Sequence, residues 1–170
     1  LYKLIGYKGK IRSWITQSEI GKIVNFMRIL RLDEYYSNVN SNLIGRLWAL
    51  YYRRKHNKLG IALGIFIPIN TFGKGLLIYH SQGIIIHRDV RCGEYAKLHG
   101  MNCIGNNGRE DKKLNCPQIG DNLDLGVGAT IIGSITLASD TVVAANAVVT
   151  KSFNKEGQVL VGTPANYLKR

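Results

Sequence analysis

From Ile86 onward the chain can be written in sixes: IHRDVR, CGEYAK, LHGMNC, IGNNGR and, after an interruption, IGDNLD, LGVGAT, IIGSIT, LASDTV, VAANAV. The first position is held by Ile86, Cys92, Leu98, Ile104, Ile119, Leu125, Ile131, Leu137 and Val143. The fifth is mostly small or apolar: Val90, Ala96, Asn102, Leu123, Ala129, Ile135, Thr141, Ala147. Gly or Ala often takes the second place. An amphipathic helix repeats every ~3.6 residues, and plain strand alternation does not produce a six either. The pattern is that of a parallel β-helix in which three sixes make one triangular coil. The first position then points inward and stacks on its copies in neighbouring coils, and small residues let the chain turn at the corners. Each coil buries its face only by stacking, so stability is a sum over neighbours. A β-sandwich would instead show turn signals every ~8–12 residues.

The 170 residues are most simply one domain, and at 45% hydrophobic content disorder is excluded. Cys92, Cys103 and Cys116 are odd in number and lack CxxC spacing, which argues against a disulfide framework or a zinc site and for a reducing cytosol. No signal peptide is visible, no apolar run reaches the ~20 residues of a membrane span, and the first residue is Leu, which reads as a missing N-terminal piece.

Net charge is +12, and residues 1–60 hold 12 Lys+Arg against 3 Asp+Glu. This third reads as helical (residues 1–60), before a β-helix domain over 61–170 with a loop near 106–118 and a C-terminal tail. Ser18 is the expected N-cap of a helix whose apolar face carries Ile20, Ile23, Val24, Met27 and Leu30. A second helix would gather Leu43, Leu47, Leu50 and Tyr51, with Arg53, Arg54 and Lys55 in its last turns, complementing the dipole. His56 there reads as a surface residue. The basic face is either simply solvated or meets an anionic partner, a membrane surface or a glycan-assembly protein. No nucleic-acid reader motif accompanies it. A cytoplasmic protein, peripheral at the inner face of the membrane, is the corresponding expectation.

The repeats, the segment YHSQGIII, the break after IGNNG, the resumption PQIGDNLDLGVGATIIGSI and the ending VGTPANYLK resemble the hexapeptide-repeat acyltransferases. The likeness covers roughly residues 40–170. It is closest to the serine acetyltransferases, above all their shorter members associated with capsule and exopolysaccharide biosynthesis. The resemblance implies a mainly β chain folded as a left-handed β-helix, a homotrimer, and acetyl-CoA bound as co-substrate between neighbouring subunits, with no metal.

His80 aligns with the catalytic histidine of that pattern. A lone histidine on an apolar segment is ordinarily a satisfied core or surface residue. Running the six-residue register back from Ile86, however, puts position 80 on an inward slot, and position 74 (Lys74) likewise. A broken rule inside a regular repeat is where function is expected. An imidazole with a pKa near neutrality suits removal of a hydroxyl proton as the oxygen attacks a thioester. His87 alternates outward and reads as surface, while His99 falls where the family often has a polar side chain near the acceptor. Among positions matching the coenzyme groove, Gly105, Val127, Gly128, Ala129 and Ala145 offer close backbone approach, and Lys151, Lys169 or Arg170 a cation for the nucleotide phosphate. The same small residues serve equally as tight corners.

The departures concern the acceptor. Where the longer serine acetyltransferases have an Asp before the catalytic His, this chain has Tyr79. Where they have Arg-His before a Pro, it has Asn115-Cys116. The Asp that orients the histidine matches Ile65. Tyr79, His99 and Cys116 are therefore the candidate substrate-binding residues, and a sugar hydroxyl of a surface polysaccharide precursor competes with serine as acceptor. Arg88, Arg91 or Glu94 could supply the missing charges after folding. Cys116 has Lys112 and Lys113 as its only evident electropositive neighbours, so a nucleophilic role is weakly supported. Two other classes remain in view: a noncatalytic β-helix scaffold in a polysaccharide assembly complex, and a γ-class carbonic anhydrase, for which His80, His87 and His99 lack a convincing spacing.

Overall fold

The computed structural model describes residues 16, 18–39, 42–108 and 116–168. Among the described residues, two helices, α1 (Glu19–Asn38) and α2 (Leu43–Leu63), precede fourteen short strands. Three sheets close a triangular prism. Sheet A holds β1 (Ile65–Phe66), β3 (Ile84–Ile86), β6 (Cys103–Gly105), β9 (Thr130–Ile132) and β12 (Val148–Val149). Sheet B holds β4 (Arg91–Cys92), β7 (Gln118–Ile119) and β10 (Thr136–Leu137), with single bridges to Phe72 and Phe153. Sheet C holds β2 (Leu77–Ile78), β5 (Lys97–Leu98), β8 (Asp124–Leu125), β11 (Val142–Val143), β13 (Val159–Val161) and β14 (Asn166–Tyr167). All pairings are parallel except β13 with β14.

The repeat explains the strands. Every first hexad position from Ile86 to Val143 is buried, and so is every fifth position to Ala147 except Gly108, which opens the loop. Corners come next. The fourth position adopts left-handed backbone at Tyr95, Met101, Asn122, Asp140 and Asn146. The second position stacks tightly under the next coil: a Cβ on Gly126 would lie 2.6 Å from the Ala145 backbone nitrogen. The polar residues at inward positions turn back on the corner backbone. Thr141 Oγ1 donates to the Ala138 carbonyl at 2.6 Å. Asn102 Oδ1 accepts from the Gly100 N–H at 2.9 Å while its Nδ2 donates to the Gly126 carbonyl at 2.7 Å.

The helices close the N-terminal end of the prism. Ile23, Phe26 and Leu30 of α1 join the core that contains Leu63, Ile65 and Ile78. Arg31 donates to the carbonyls of Phe72 and Gly73, and Glu34 accepts from the Asn70 N–H. Ser18 caps α1 as expected, but Ile20 is exposed and the buried face turns to Phe26 and Ile29. In α2 the expected face of Leu43, Leu47, Leu50 and Tyr51 is exposed. The helix also continues to Leu63, so Arg53, Arg54 and Lys55 lie mid-helix, away from the carboxyl end. His56 is buried, contrary to its surface reading. Its Nδ1 lies 2.9 Å from Asp33 Oδ2, and Arg53 Nε donates to both Asp33 oxygens. A carboxylate on α1 thus draws the polar side of α2 inward, which apolar periodicity does not reveal. Gly64 ends α2 in left-handed backbone, and the Gln82 N–H donates to the Leu63 carbonyl at 2.8 Å.

The first coil departs from the register. Ile86 pairs with Ile104, 18 residues on, whereas Ile78 pairs with Leu98, 20 residues on. The two extra residues lie in the corner between β2 and β3. That corner carries His80 out of the core: its side chain is 68% exposed. Lys74 is exposed as well and pairs with Glu94 at 3.0 Å. The inward slot expected for both positions is not theirs, because a corner with two added residues breaks the count in sixes.

Candidate functional site

The corner between sheets C and A gathers most of the candidate residues. His80 stands at its first level with Tyr79 and Ser81, His99 at the next, then Val127 and Gly128, then Ala145. Tyr79 stacks on His99 with ring centroids 4.5 Å apart. His99 Nε2 lies 2.8 Å from Asp124 Oδ1, and Lys97 Nζ donates to the other Asp124 oxygen at 3.3 Å. Asp124 is absent from the sequence expectations; the register pairing Lys97 with Asp124 is the signal that finds it.

His80 has an acidic neighbour that no spacing announces. Its Nδ1 lies 3.5 Å from Glu19 Oε2. The other Glu19 oxygen accepts from both the N–H and the hydroxyl of Ser81, at 2.8 and 2.9 Å. Those Ser81 hydrogen bonds, with His80 as a smaller contributor, lower the Glu19 pKa against a small opposing effect of burial. Among the described residues nothing bonds to His80 Nε2. Glu19 comes from the first turn of α1, 61 residues earlier, so only the packing of the helices on the coil makes the pair.

Higher on the same corner, Val127 and Ala145 are exposed, and no described group bonds to their N–H groups. The Gly128 N–H is occupied by the Gly100 carbonyl at 3.0 Å. Ala129 faces inward at 0% exposure, and its N–H bonds to the Gly126 carbonyl. It occupies the fifth position of its hexad, where the sequence placed it, with its side chain in the core.

The remaining candidates lie on the corner between sheets A and B. Gly105 ends β6 beneath His87, Cys116 follows the loop, and Lys151 donates to Asn166 Oδ1 at 2.7 Å. Lys169, Arg170, Lys112, Lys113 and Asn115 lie outside the described residues. Cys116 Sγ is 3.1 Å from His87 Nδ1, so His87 is a partnered group, not a bare surface residue. Burial and Asp89 push the Cys116 thiol up, against a lowering by Arg91, the electropositive neighbour the sequence did not single out. A raised thiol pKa opposes nucleophilic use. His87, Asp89 and Cys116 present ligand atoms within 4.8 Å of one another and have the types that hold a divalent metal, although the Asp89 carboxylate is exposed. The buried Cys92 thiol is pushed up to about 12, by burial first and Asp121 second. The chain thus holds the two halves of the candidate set on different corners. A groove of about 830 Å³ separates α2 from sheet A, lined by Ile61, Phe66 and Ile85 among others; neither His80 nor His99 lines it.

No family model matches the chain. The serine acetyltransferase of Staphylococcus xylosus is 33% identical over 103 residues, 61% of this chain and 47% of that protein. The chain spans about half the length of the curated relatives it matches. Soybean serine acetyltransferase, solved as the apoenzyme, superposes with a TM-score of 0.71 at 22% identity, covering 86% of this chain and 57% of that one. A serine acetyltransferase solved in complex with CoA superposes with a TM-score of 0.69 at 19% identity, with the same coverage. Stacked hexapeptide coils with a histidine exposed on one corner define the class, a left-handed parallel β-helix preceded by helices. Within that class, the chain is similar in sequence and in fold to the serine acetyltransferases of the hexapeptide-repeat acyltransferase family.

Proposed function

We propose that the protein is an acetyl-CoA-dependent O-acetyltransferase in which His80 is the general base. The observation that carries this reading is the exposed His80, lifted out of the repeat at the corner where outward N–H groups stand, on a scaffold similar to serine acetyltransferases. His80 Nε2 takes the proton of an acceptor hydroxyl while its oxygen attacks the acetyl carbonyl. A tetrahedral intermediate collapses with cleavage of the C–S bond. The coenzyme A thiolate leaves and recovers the proton from the imidazolium. General-base help of this kind is worth ~10²–10⁴-fold.

The acceptor is a sugar hydroxyl in a surface-polysaccharide precursor in preference to free serine. A zwitterion needs a cation for its carboxylate and an anion for its ammonium. Tyr79 and Cys116 occupy the matching positions, and both are uncharged side chains, with Tyr79 suited to a sugar ring. The active unit is a homotrimer. A three-fold assembly can bring the sheet C–A corner of one subunit against the sheet A–B corner of the next and so join His80 with Cys116 and Lys151. A cytoplasmic site facing anionic glycan intermediates at the membrane agrees with the basic N-terminal third; no described helix is long and apolar enough to cross a membrane.

The test is thiol release from acetyl-CoA against serine and a panel of sugar acceptors, with wild type and His80→Asn. The expected result is turnover on a sugar acceptor and a ~10²–10⁴-fold lower rate in the variant. Undiminished turnover in His80→Asn removes His80 from the role. Serine with kcat/KM of ~10⁴ M⁻¹s⁻¹ or more overturns the sugar assignment. Failure of every hydroxyl acceptor favours the noncatalytic scaffold.

A further inference from the structure

An imidazole serves as a base only through a nitrogen that lacks a proton, and in the neutral ring the two nitrogens share one. Which of them carries it is set by the hydrogen bond the other makes. The only described hydrogen-bond neighbour of His80 Nδ1 comes from another element, the first helix. Glu19 opens α1, where a negative charge is favoured by the helix dipole. One of its oxygens is held by two donors of Ser81, the residue directly after His80. The second oxygen is thereby left facing His80 Nδ1 at 3.5 Å. Carboxylate, anchor and imidazole form one compact unit bridging the helical segment and the first coil.

We infer that Glu19 is the positioning residue of His80: its carboxylate accepts the Nδ1–H, fixes the ring, and leaves Nε2 bare for the acceptor proton. This rests on the reading of His80 as the base. It also assigns a catalytic purpose to the N-terminal helices, which bring α1 to the corner where the coil is two residues longer. Ser81 acts one step back, aiming Glu19 through its N–H and hydroxyl. The carboxylate gains no proton in the step; it stabilises the imidazolium that forms when His80 is protonated.

Three variants and two readouts test it. Glu19→Gln, Glu19→Ala and Ser81→Ala are compared with wild type for kcat and KM, and for the ¹⁵N shifts of the His80 ring. Glu19 is exposed, so the variants keep the wild-type circular dichroism. The expected result is a ~10–100-fold fall in kcat for both Glu19 variants, the scale of a misplaced catalytic group, with acceptor and acetyl-CoA KM little changed. Ser81→Ala falls less. The His80 ring of the wild type is expected as the Nδ1–H tautomer, and that signature is lost in Glu19→Ala. Wild-type kcat and an unchanged tautomer in the Glu19 variants overturn the inference even if His80→Asn is inactive. A raised acceptor KM at constant kcat overturns it too, making Glu19 an acceptor-binding group. If His80→Asn is fully active, the base assignment itself has failed, and the two failures are told apart.

Discussion

Asn102 shows how a single polar side chain can be correct inside an apolar repeat. It occupies a fully buried fifth position, yet its amide satisfies the Gly100 N–H and the Gly126 carbonyl, tying two levels of the candidate-site corner together. Asn102→Leu fills the slot with carbon but orphans the Gly100 N–H, while the Gly126 carbonyl keeps only its bond from the Ala129 N–H. It is expected to lower stability by about 1–3 kcal/mol, read by urea denaturation. A variant as stable as wild type would show those groups to be solvated. Asp33 makes a similar point between the helices. Its buried carboxylate holds Arg53 and His56, so a histidine that reads as surface from its basic surroundings becomes interior. In both cases the residue type is legible in the sequence, and its partner is not.

At the scale of elements, the corners carry most of the information. The αL position of each hexad recurs at Tyr95, Met101, Asn122, Asp140 and Asn146. Asn and Asp tolerate that backbone; Met does not, because its Cβ crowds the following carbonyl. Met101 is exposed, so little packing compensates. Met101→Asn is therefore expected to raise the melting temperature by a few degrees, the equivalent of roughly 1 kcal/mol for a chain of this size. A lower melting temperature would show that the methionine side chain contributes through contacts. The strands themselves were legible from Ile86 to Val149, since each first and fifth position is where the sixes placed it. The corner after Ile78 was not, because two extra residues do not alter the residue types, only the count. The helices were found, with Ile23 and Leu30 of the expected α1 face buried, but the buried face of α2 was not. A helix with apolar residues around much of its circumference does not say which stripe meets the core, and here Arg31, Glu34, Asp33 and His56 decide it through bonds to distant residues.

For the whole molecule, the chain separates His80 and His99 from Cys116 and Lys151, and leaves Phe66, Ile85 and Ile61 exposed along sheet A and α2. The proposed trimer would join the two corners and cover those side chains. Light scattering is expected to give three times the chain mass, and mixing a His80→Asn protein with a Cys116→Ala protein under exchange conditions is expected to restore some activity if the site is shared. A monomer with full activity would overturn the trimer.

The six-residue period determined the prism on its own, because a stack of coils has a core only if the same positions repeat in every turn. The features behind the proposed chemistry are equally local: a histidine in YHSQGIII, small residues at successive corners, and a tail that resembles that of the hexapeptide-repeat acyltransferases. What the tertiary structure decided is everything that joins residues through space without a period. It placed His80 outside rather than inside and brought Glu19 to His80 across 61 residues of chain. Such contacts depend on how a non-repeating helical pair docks on a repeating one-dimensional stack, and docking geometry is set by the shapes and hydrogen bonds of the two bodies together.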